Sequence, residues 1–302
     1  LSYVIAKSIV EDHFNEFGYD LNINKNIIPE DDSTLFICSG MQNHRSKFES
    51  PDGSRLSSLQ SCIRTNDLDQ VGNGTHLTYF EMLGTFSFGN NDYDELCLFW
   101  DSLLQKLDIR PSHITCHPSQ KYHRSLWEKM GYEVVFDSDN IWTDGSISGY
   151  CCEVFCNDLE IGNLVHTGGH SVDVGFGWER LHMVFEDVNN VYETSLFDPS
   201  LDLVVSDHIR SIRSLLSNNI LPGNKGREYV CRKLIRRILP LIEPDFSFEF
   251  SEILQDERSR REKSIRKASG SYRKHQNKSD EWWRDTFGIF PEELESIRSI
   301  LG

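Results

Sequence analysis

His76-Leu77-Thr78-Tyr79-Phe80-Glu81-Met82-Leu83-Gly84-Thr85-Phe86-Ser87-Phe88-Gly89 is the stretch that decides how this chain folds. Its first half sets His76, Thr78, Phe80 and Met82 against Leu77, Tyr79 and Glu81, the period of two that gives a strand its two faces. Leu59 to Arg64, just upstream, is also rich in strand formers. Asn66 to Thr75 between them is polar and carries Gly72 and Gly74, as a hairpin loop would. Arg64 ends the first strand and Phe80 sits on the second. An Arg and an aromatic so paired can grip a phosphate and stack a base; an edge Arg beside a core Phe is the alternative, and both stay open here.

Outward from this hairpin, Thr34 to Cys38 reads as a buried strand closed by Ser39-Gly40. Leu96, Phe99, Trp100, Leu103, Leu104 and Leu107 keep helical spacing. Short strands are expected at His113 to Cys116 and Glu133 to Phe136, around a helix near 120–130. Val172 to Val174 predicts another strand, running through Gly175 and Gly177 into a helix. From Leu201 the pattern turns helical, with Val205, His208, Ile209, Ile212 and Leu215 in one stripe. After Pro222-Gly223-Asn224 a second helix turns Cys231, Leu234, Ile235 and Ile238 inward and Arg232, Lys233, Arg236 and Arg237 to its other side. Hairpin-joined strands with helices on one side make an α+β domain over 1–200, followed by a helical domain over 201–302.

Composition excludes several classes. The 302 residues carry a net charge of −16, which argues against indiscriminate nucleic-acid binding by the whole surface. The charge is uneven: residues 1–224 hold 14 Lys and Arg against 33 Asp and Glu, whereas residues 225–278 hold 15 against 8. A basic segment on an acidic body reads as a docking site for a polyanion or as a solvated helical face. No apolar run approaches the ~20 residues that span a bilayer. Leu1 to Lys7 shows no signal-peptide pattern, and the missing Met reads as a trimmed start. Eight cysteines, two of them adjacent at Cys151 and Cys152, are expected to be reduced thiols in a cytoplasmic protein.

There is no Gly-x4-Gly-Lys-Ser/Thr loop and no Gly-x-Gly-x-x-Gly after a strand, which disfavours P-loop and Rossmann nucleotide sites. The absent Gly-x-Ser-x-Gly elbow disfavours an α/β-hydrolase. Gly175-Phe176-Gly177-Trp178-Glu179-Arg180 is more informative: two glycines permit close approach to the backbone, and Arg180 enters where a helix N-terminus favours phosphate. Pairing of Arg180 with Glu179 or Asp173 is the structural alternative. Cys152, Cys156, His166 and His170 are ligand types for zinc, but their spacing matches no common finger.

Ser61 to Gly72 followed by Thr78 to Gly89, above all Phe80-Glu81-Met82-Leu83-Gly84 and Phe86-Ser87-Phe88-Gly89, resembles the second class II motif of alanyl-tRNA synthetases. Thr34 to Met41 with Phe48 resembles the first motif, and Ser171 to Arg180 the third. Val205 to Ser211 with Tyr229 to Arg237 is similar to the helical domain that follows. The resemblance covers roughly residues 5–240. It implies a class II antiparallel sheet flanked by helices and then a helical tRNA-binding domain. The implied chemistry uses ATP and Mg²⁺ to make an aminoacyl-adenylate and pass the amino acid to tRNA.

By this resemblance Arg64 would neutralise the α-phosphate, Arg180 would hold the γ-phosphate side and Phe80 would stack adenine. Asp173 would take the substrate ammonium. Met41, Trp142, Asn163, Val165 and Gly175 would line a pocket for alanine or a similarly small amino acid. Glu153 would be a Mg²⁺ ligand, and Arg232, Lys233, Arg236 and Arg237 would meet phosphates of the tRNA acceptor arm. The chain departs from the family where extra Gly residues and a Lys usually follow Arg64; only Thr65 stands there, and His76 is the candidate substitute cation. Ser146 to Cys152 shortens a Gly-Pro-Cys stretch. Gly226-Arg227-Glu228 replaces a family Asn-Arg-Gly. A carrier protein or small metabolite as acceptor, and a non-catalytic paralogue, are the competing readings.

Overall fold

The computed structural model describes residues 3–31, 34–66, 68–143, 147–243 and 246–301. Asp67 and Ser146, which belong to the stretches quoted above, lie outside them. The first elements are α1 (Tyr3–Glu16), β1 (Leu21–Asn24), α2 (Arg45–Glu49), β2 (Arg55–Ile63), β3 (Tyr79–Ser87) and α3 (Tyr93–Lys106). Next come β4 (His113–Cys116), α4 (Lys121–Lys129), β5 (Val134–Phe136), β6 (Ile141–Thr143), β7 (Ser148–Cys156) and β8 (Leu159–Thr167). The chain continues through β9 (Ser171–Gly177), α5 (Trp178–Phe185), α6 (Leu203–Ser217) and α7 (Gly226–Ile238). It ends in α8 (Ser251–His275), α9 (Asp280–Phe287) and α10 (Pro291–Leu301). Contacts divide it into two compact units, Leu1–Ser214 and Leu215–Gly302. The division falls inside α6 rather than near residue 200, because Asp207 and Arg210 hydrogen-bond to Thr78 and Glu179 of the first unit.

In the first unit the strands form one sheet in the order β1-β2-β3-β9-β8-β7-β4-β5, with β6 on β7. The central pairs are antiparallel, as expected; β1 on β2 and β4 on β5 are parallel. One face carries the core. Leu83 of β3, Leu164 of β8 and Val172, Val174 and Phe176 of β9 pack with Ala6, Val10 and Phe14 of α1 and with Leu96, Trp100 and Leu103 of α3. Trp100 stacks on Phe176 at 4.4 Å and satisfies its indole N–H on the Thr85 hydroxyl at 2.8 Å.

Three expectations need correction. Thr34 to Cys38 is not a strand. Phe36 and Ile37 are buried, but Ile37 makes only single backbone bonds, to Ile27 and Ile63, and no ladder. The β7–β8 hairpin is not among the strands expected from sequence, although with β9 it supplies three of the nine strands of the sheet. Cys116 and Cys152 face each other in register across β4 and β7 and form a disulfide, so these two are not reduced thiols.

The second unit has its own core, Ala268 and Tyr272 of α8 with Trp283, Ile289, Leu294 and Ile297. Its corner is set by caps. Ser279 accepts the Trp282 N–H at 3.3 Å at the start of α9, and Gly288 ends that helix at φ 67°, a left-handed conformation that suits glycine.

Candidate functional site

Register decides which side chains share the open face of the sheet. Partners across antiparallel strands point the same way. Gly84, Gly175, Asn163 and Glu153 form one row across β3, β9, β8 and β7. Phe86, Asp173, Val165 and Cys151 form the next row. Phe80 and Met82 continue β3 on the same face, opposite the one that packs on α1 and α3. Six residues picked from sequence, Phe80, Glu153, Asn163, Val165, Asp173 and Gly175, therefore share one surface.

A cavity of about 320 Å³ opens on that surface. Arg64, His76, Phe80, Trp142, Asn163, Gly175 and Arg180 all line it. The Arg64 guanidinium lies 4.8 Å from the Phe80 ring centroid, a cation–π contact, and its Nε donates to the Cys38 carbonyl at 3.1 Å. His76 is held by its Nδ1 near the Asn73 amide at 2.8 Å. The floor is glycine by necessity. A Cβ at Gly175 would come within 2.9 Å of the Met82 sulfur, and one at Gly162 within 2.4 Å of the Phe176 ring. Of the two glycines singled out in the sequence, Gly175 lies within β9 and Gly177 stands at the β9–α5 junction, and both line the cavity.

Arg180 pairs neither with Glu179 nor with Asp173. Its Nη1 donates to the Glu160 carbonyl at 2.6 Å and reaches the Glu160 carboxylate at 3.3 Å. Glu179, 2% exposed, turns the other way: it accepts from Arg210 at 2.6 Å and from the Glu81 N–H at 3.0 Å. Arg210 also lies over Tyr79 and Phe197 at 5.1 and 4.7 Å. Asp207, one turn earlier on α6, accepts the Thr78 N–H at 2.7 Å, and the Thr78 carbonyl accepts the Arg64 N–H at 2.9 Å. So α6 fixes the backbone beside both cavity arginines. Glu160 was given no role from sequence; Asp207 and Arg210 were noted only within Val205 to Ser211, the stretch that resembles the family's helical domain, without a part in the site.

Asp173 is buried and has no hydrogen-bond or ion-pair partner among the described residues. Burial pushes its carboxyl up to about 7. It does not line the cavity but lies one row beyond Gly175. Met41 and Val165, expected in the pocket wall, are fully buried. Met41 packs with Phe48, Phe86, Phe88 and Ile147, and Trp142 lies against this cluster. Glu153 is half-buried, accepts from the Thr115 hydroxyl at 3.4 Å, and is raised by burial and by the nearby Glu160 charge. A divalent cation between these carboxylates would relieve that repulsion. Cys152, Cys156, His166 and His170 do not assemble a zinc site: Cys152 is disulfide-bonded, and among the described residues no three His, Cys, Asp or Glu converge as a metal cluster.

In the second unit, Arg232 and Arg236 do not face outward with Lys233 and Arg237. Arg232 Nε donates to both Glu257 oxygens at 3.2 and 3.1 Å, and Arg236 donates to the Gly288 carbonyl at 2.6 Å. Glu257 is 1% exposed, so these arginines neutralise a buried carboxylate; two guanidiniums one turn apart on α7 are turned inward by it.

The sheet, the phosphate-compatible arginines and the helical second unit define a class, and sequence comparison agrees. The chain matches the family model for tRNA synthetases class II (A) over residues 10–168 and 162–251. It belongs to that family. It is 32% identical over 287 residues to the alanine–tRNA ligase of Tropheryma whipplei (strain Twist), covering 75% of this chain and 33% of that protein. It is 29% identical over 330 residues to the alanine–tRNA ligase of Desulfitobacterium hafniense (strain Y51), covering 81% and 38%. The chain thus spans about a third of the length of these curated relatives. Among solved structures, apo histidyl-tRNA synthetase of S. aureus aligns over 65% of this chain and 68% of its own at 10% identity, with a TM-score of 0.44. No helix among the described residues is long and apolar enough to cross a membrane.

Proposed function

We propose that the chain activates alanine, or a similarly small amino acid, with ATP and transfers it to tRNA. The amino-acid carboxylate attacks the α-phosphorus, the bond to the pyrophosphate oxygen breaks, and pyrophosphate leaves. The observation that carries this reading is one surface holding two kinds of subsite. Arg64, Phe80, His76 and Arg180 border the cavity, and Asp173, a buried carboxylate without a partner among the described residues, lies in the adjoining row.

In this reading the Arg64 fork neutralises charge that builds on the α-phosphate, and Phe80 gives the adenine a face once Arg64 moves to phosphate. Arg180 exchanges Glu160 for the γ-phosphate. His76 stands where the missing lysine would be. Asp173 ionises on binding the substrate ammonium. Trp142, Asn163 and Gly175 bound the amino-acid end, and Met41 and Val165 act from behind that wall. Glu153, with Glu160 beside it, would be the protein's share of a Mg²⁺ site, and the ion when bound would supply positive charge to the substrate phosphates. Lys233 and Arg237, which do not pair with Glu257, are the members of the basic helix face that would meet tRNA phosphates.

Incubation with alanine, ATP and labelled pyrophosphate tests the reading. Label should enter ATP only when alanine is present. Absence of exchange with alanine, glycine and serine at high enzyme concentration removes it.

A further inference from the structure

Within the second unit, α7, α8, α9 and the turn into α10 enclose a cavity of about 680 Å³. That is in the range of sites that hold a nucleotide-sized ligand, ~300–1,000 Å³. Arg232 and Arg236 in its wall are consumed by Glu257, Gly288 and Glu293, so they are scaffold. Other cations in the wall are available. Lys225 and Lys263 are exposed and form no ion pair among the described residues. Arg284 holds the surface carboxylate Asp285, which is 70% exposed; Arg260 holds the exposed Asp256 at 2.8 Å and reaches the buried Glu257 only at 3.8 Å. Surface pairs of this kind are worth about 0–1 kcal/mol, so both guanidiniums can exchange them for a stronger anion.

Two further features point to the same ligand. Asn224 and Lys225 put the N-terminus of α7 at the cavity, adding the positive end of a 13-residue helix. Tyr229 and Phe287 supply aromatic surface beside the cations, the combination that binds a base together with its phosphate. The family match ends at residue 251, so Arg260, Lys263, Arg284 and Phe287 come from beyond it.

We propose that this cavity binds a nucleotide of an RNA strand, its phosphate on Lys225, Arg260, Lys263 and Arg284, rather than leaving RNA contact to the Lys233–Arg237 face alone. The inference rests on the proposed tRNA acceptor and assigns that acceptor a second, unanticipated contact.

The test compares bulk tRNA binding by the full chain across a salt series. One variant combines Lys263→Glu with Arg284→Glu. A control combines Lys267→Glu with Lys274→Glu, exposed residues of the same helix α8 outside the cavity, with the same change in charge. A Lys263→Gln/Arg284→Gln variant covers the case that charge reversal unfolds the unit, with circular dichroism as the check. Each lost phosphate contact lowers the salt slope by about one, so the cavity variants should flatten it by about two and the control by clearly less. Equal losses in both, or an unchanged cavity variant, overturn the inference and leave the tRNA reading standing. If the wild-type chain binds no tRNA at low salt while alanine-dependent pyrophosphate exchange is robust, the acceptor reading itself falls and the cavity proposal with it.

Discussion

Asp173 is buried with nothing among the described residues to neutralise it, and that one carboxyl has consequences for both stability and binding. Its folded-state pKa, about 7, lies above the ordinary Asp value. Between roughly pH 4 and 7 the folded protein keeps a proton that the unfolded chain has released, so stability falls as pH rises through that window. Asp173→Asn should abolish the fall. In urea unfolding the variant should gain on the wild type at about pH 7.5 and less at about pH 5; an equal difference at both would show that this carboxyl does not carry the effect. An ammonium ligand needs the ionised form, so alanine affinity should climb toward pH 7 and then level off.

At Gly162 a Cβ would meet the Phe176 ring at 2.4 Å and the Gly175 carbonyl at 2.7 Å. Phe176 is stacked on Trp100 and cannot retreat without disturbing the core. Gly162→Ala should cost about 1–3 kcal/mol, read as a lowered denaturation midpoint. An unshifted midpoint would mean that β8 moves freely there. That Arg64, Phe80 and Arg180 gather at one cavity was legible in the sequence because each sits in a distinctive motif. Glu160 was not, because its partner Arg180 is 20 residues away and the turn that brings them together leaves no local pattern.

At the scale of elements, α6 acts on the sheet through two side chains. Arg210 neutralises Glu179 at 2.6 Å, and Asp207 holds the start of β3 through Thr78 at 2.7 Å. Removing one partner of a buried pair leaves the other charge uncompensated, so Arg210→Ala should cost about 3–5 kcal/mol in urea unfolding. Arg210→Lys keeps the charge but loses the planar contact with Tyr79 and Phe197, and should recover only part. A loss below about 1 kcal/mol, the value of a surface pair, would mean that water reaches Glu179. The β2–β3 hairpin, α3 and α7 could be read from their periodicity. The β7–β8 hairpin could not, because Glu153 and Asn163 put polar residues on its open face and Gly162 puts a glycine on its core face, where a strand pattern would want apolar residues. Thr34 to Cys38 failed in the opposite sense: an apolar run can be buried by packing alone, without pairing.

At the scale of the whole molecule, an acidic body carries a basic helical segment, and the two differences have separate chemistry. On the proposed tRNA acceptor, the excess of Asp and Glu over residues 1–224 would repel RNA generally and so favour its approach to residues 225–278. Affinity for tRNA should therefore drop steeply with salt, by counterion release. A small amino-acid end of the kind proposed would exclude bulk easily but reject glycine poorly, since one methyl is worth roughly 1–3 kcal/mol. The charge contrast was plain in the sequence, but which basic side chains are free was not, because Glu257 captures Arg232 and Arg236 from 25 and 21 residues away.

The most direct measurement of the central claim, that one sheet face holds an amino-acid end at Asp173 and an ATP end at Arg64 and Arg180, is the KM of each substrate in alanine-dependent ATP–pyrophosphate exchange. Wild type, Asp173→Asn and Arg180→Ala are assayed side by side, with Arg180→Lys as a conservative companion. The expected result is exchange by the wild type, a raised alanine KM with little change for ATP in Asp173→Asn, and the reverse in Arg180→Ala. Equal effects on both substrates in both variants, or alanine-independent exchange, would contradict it.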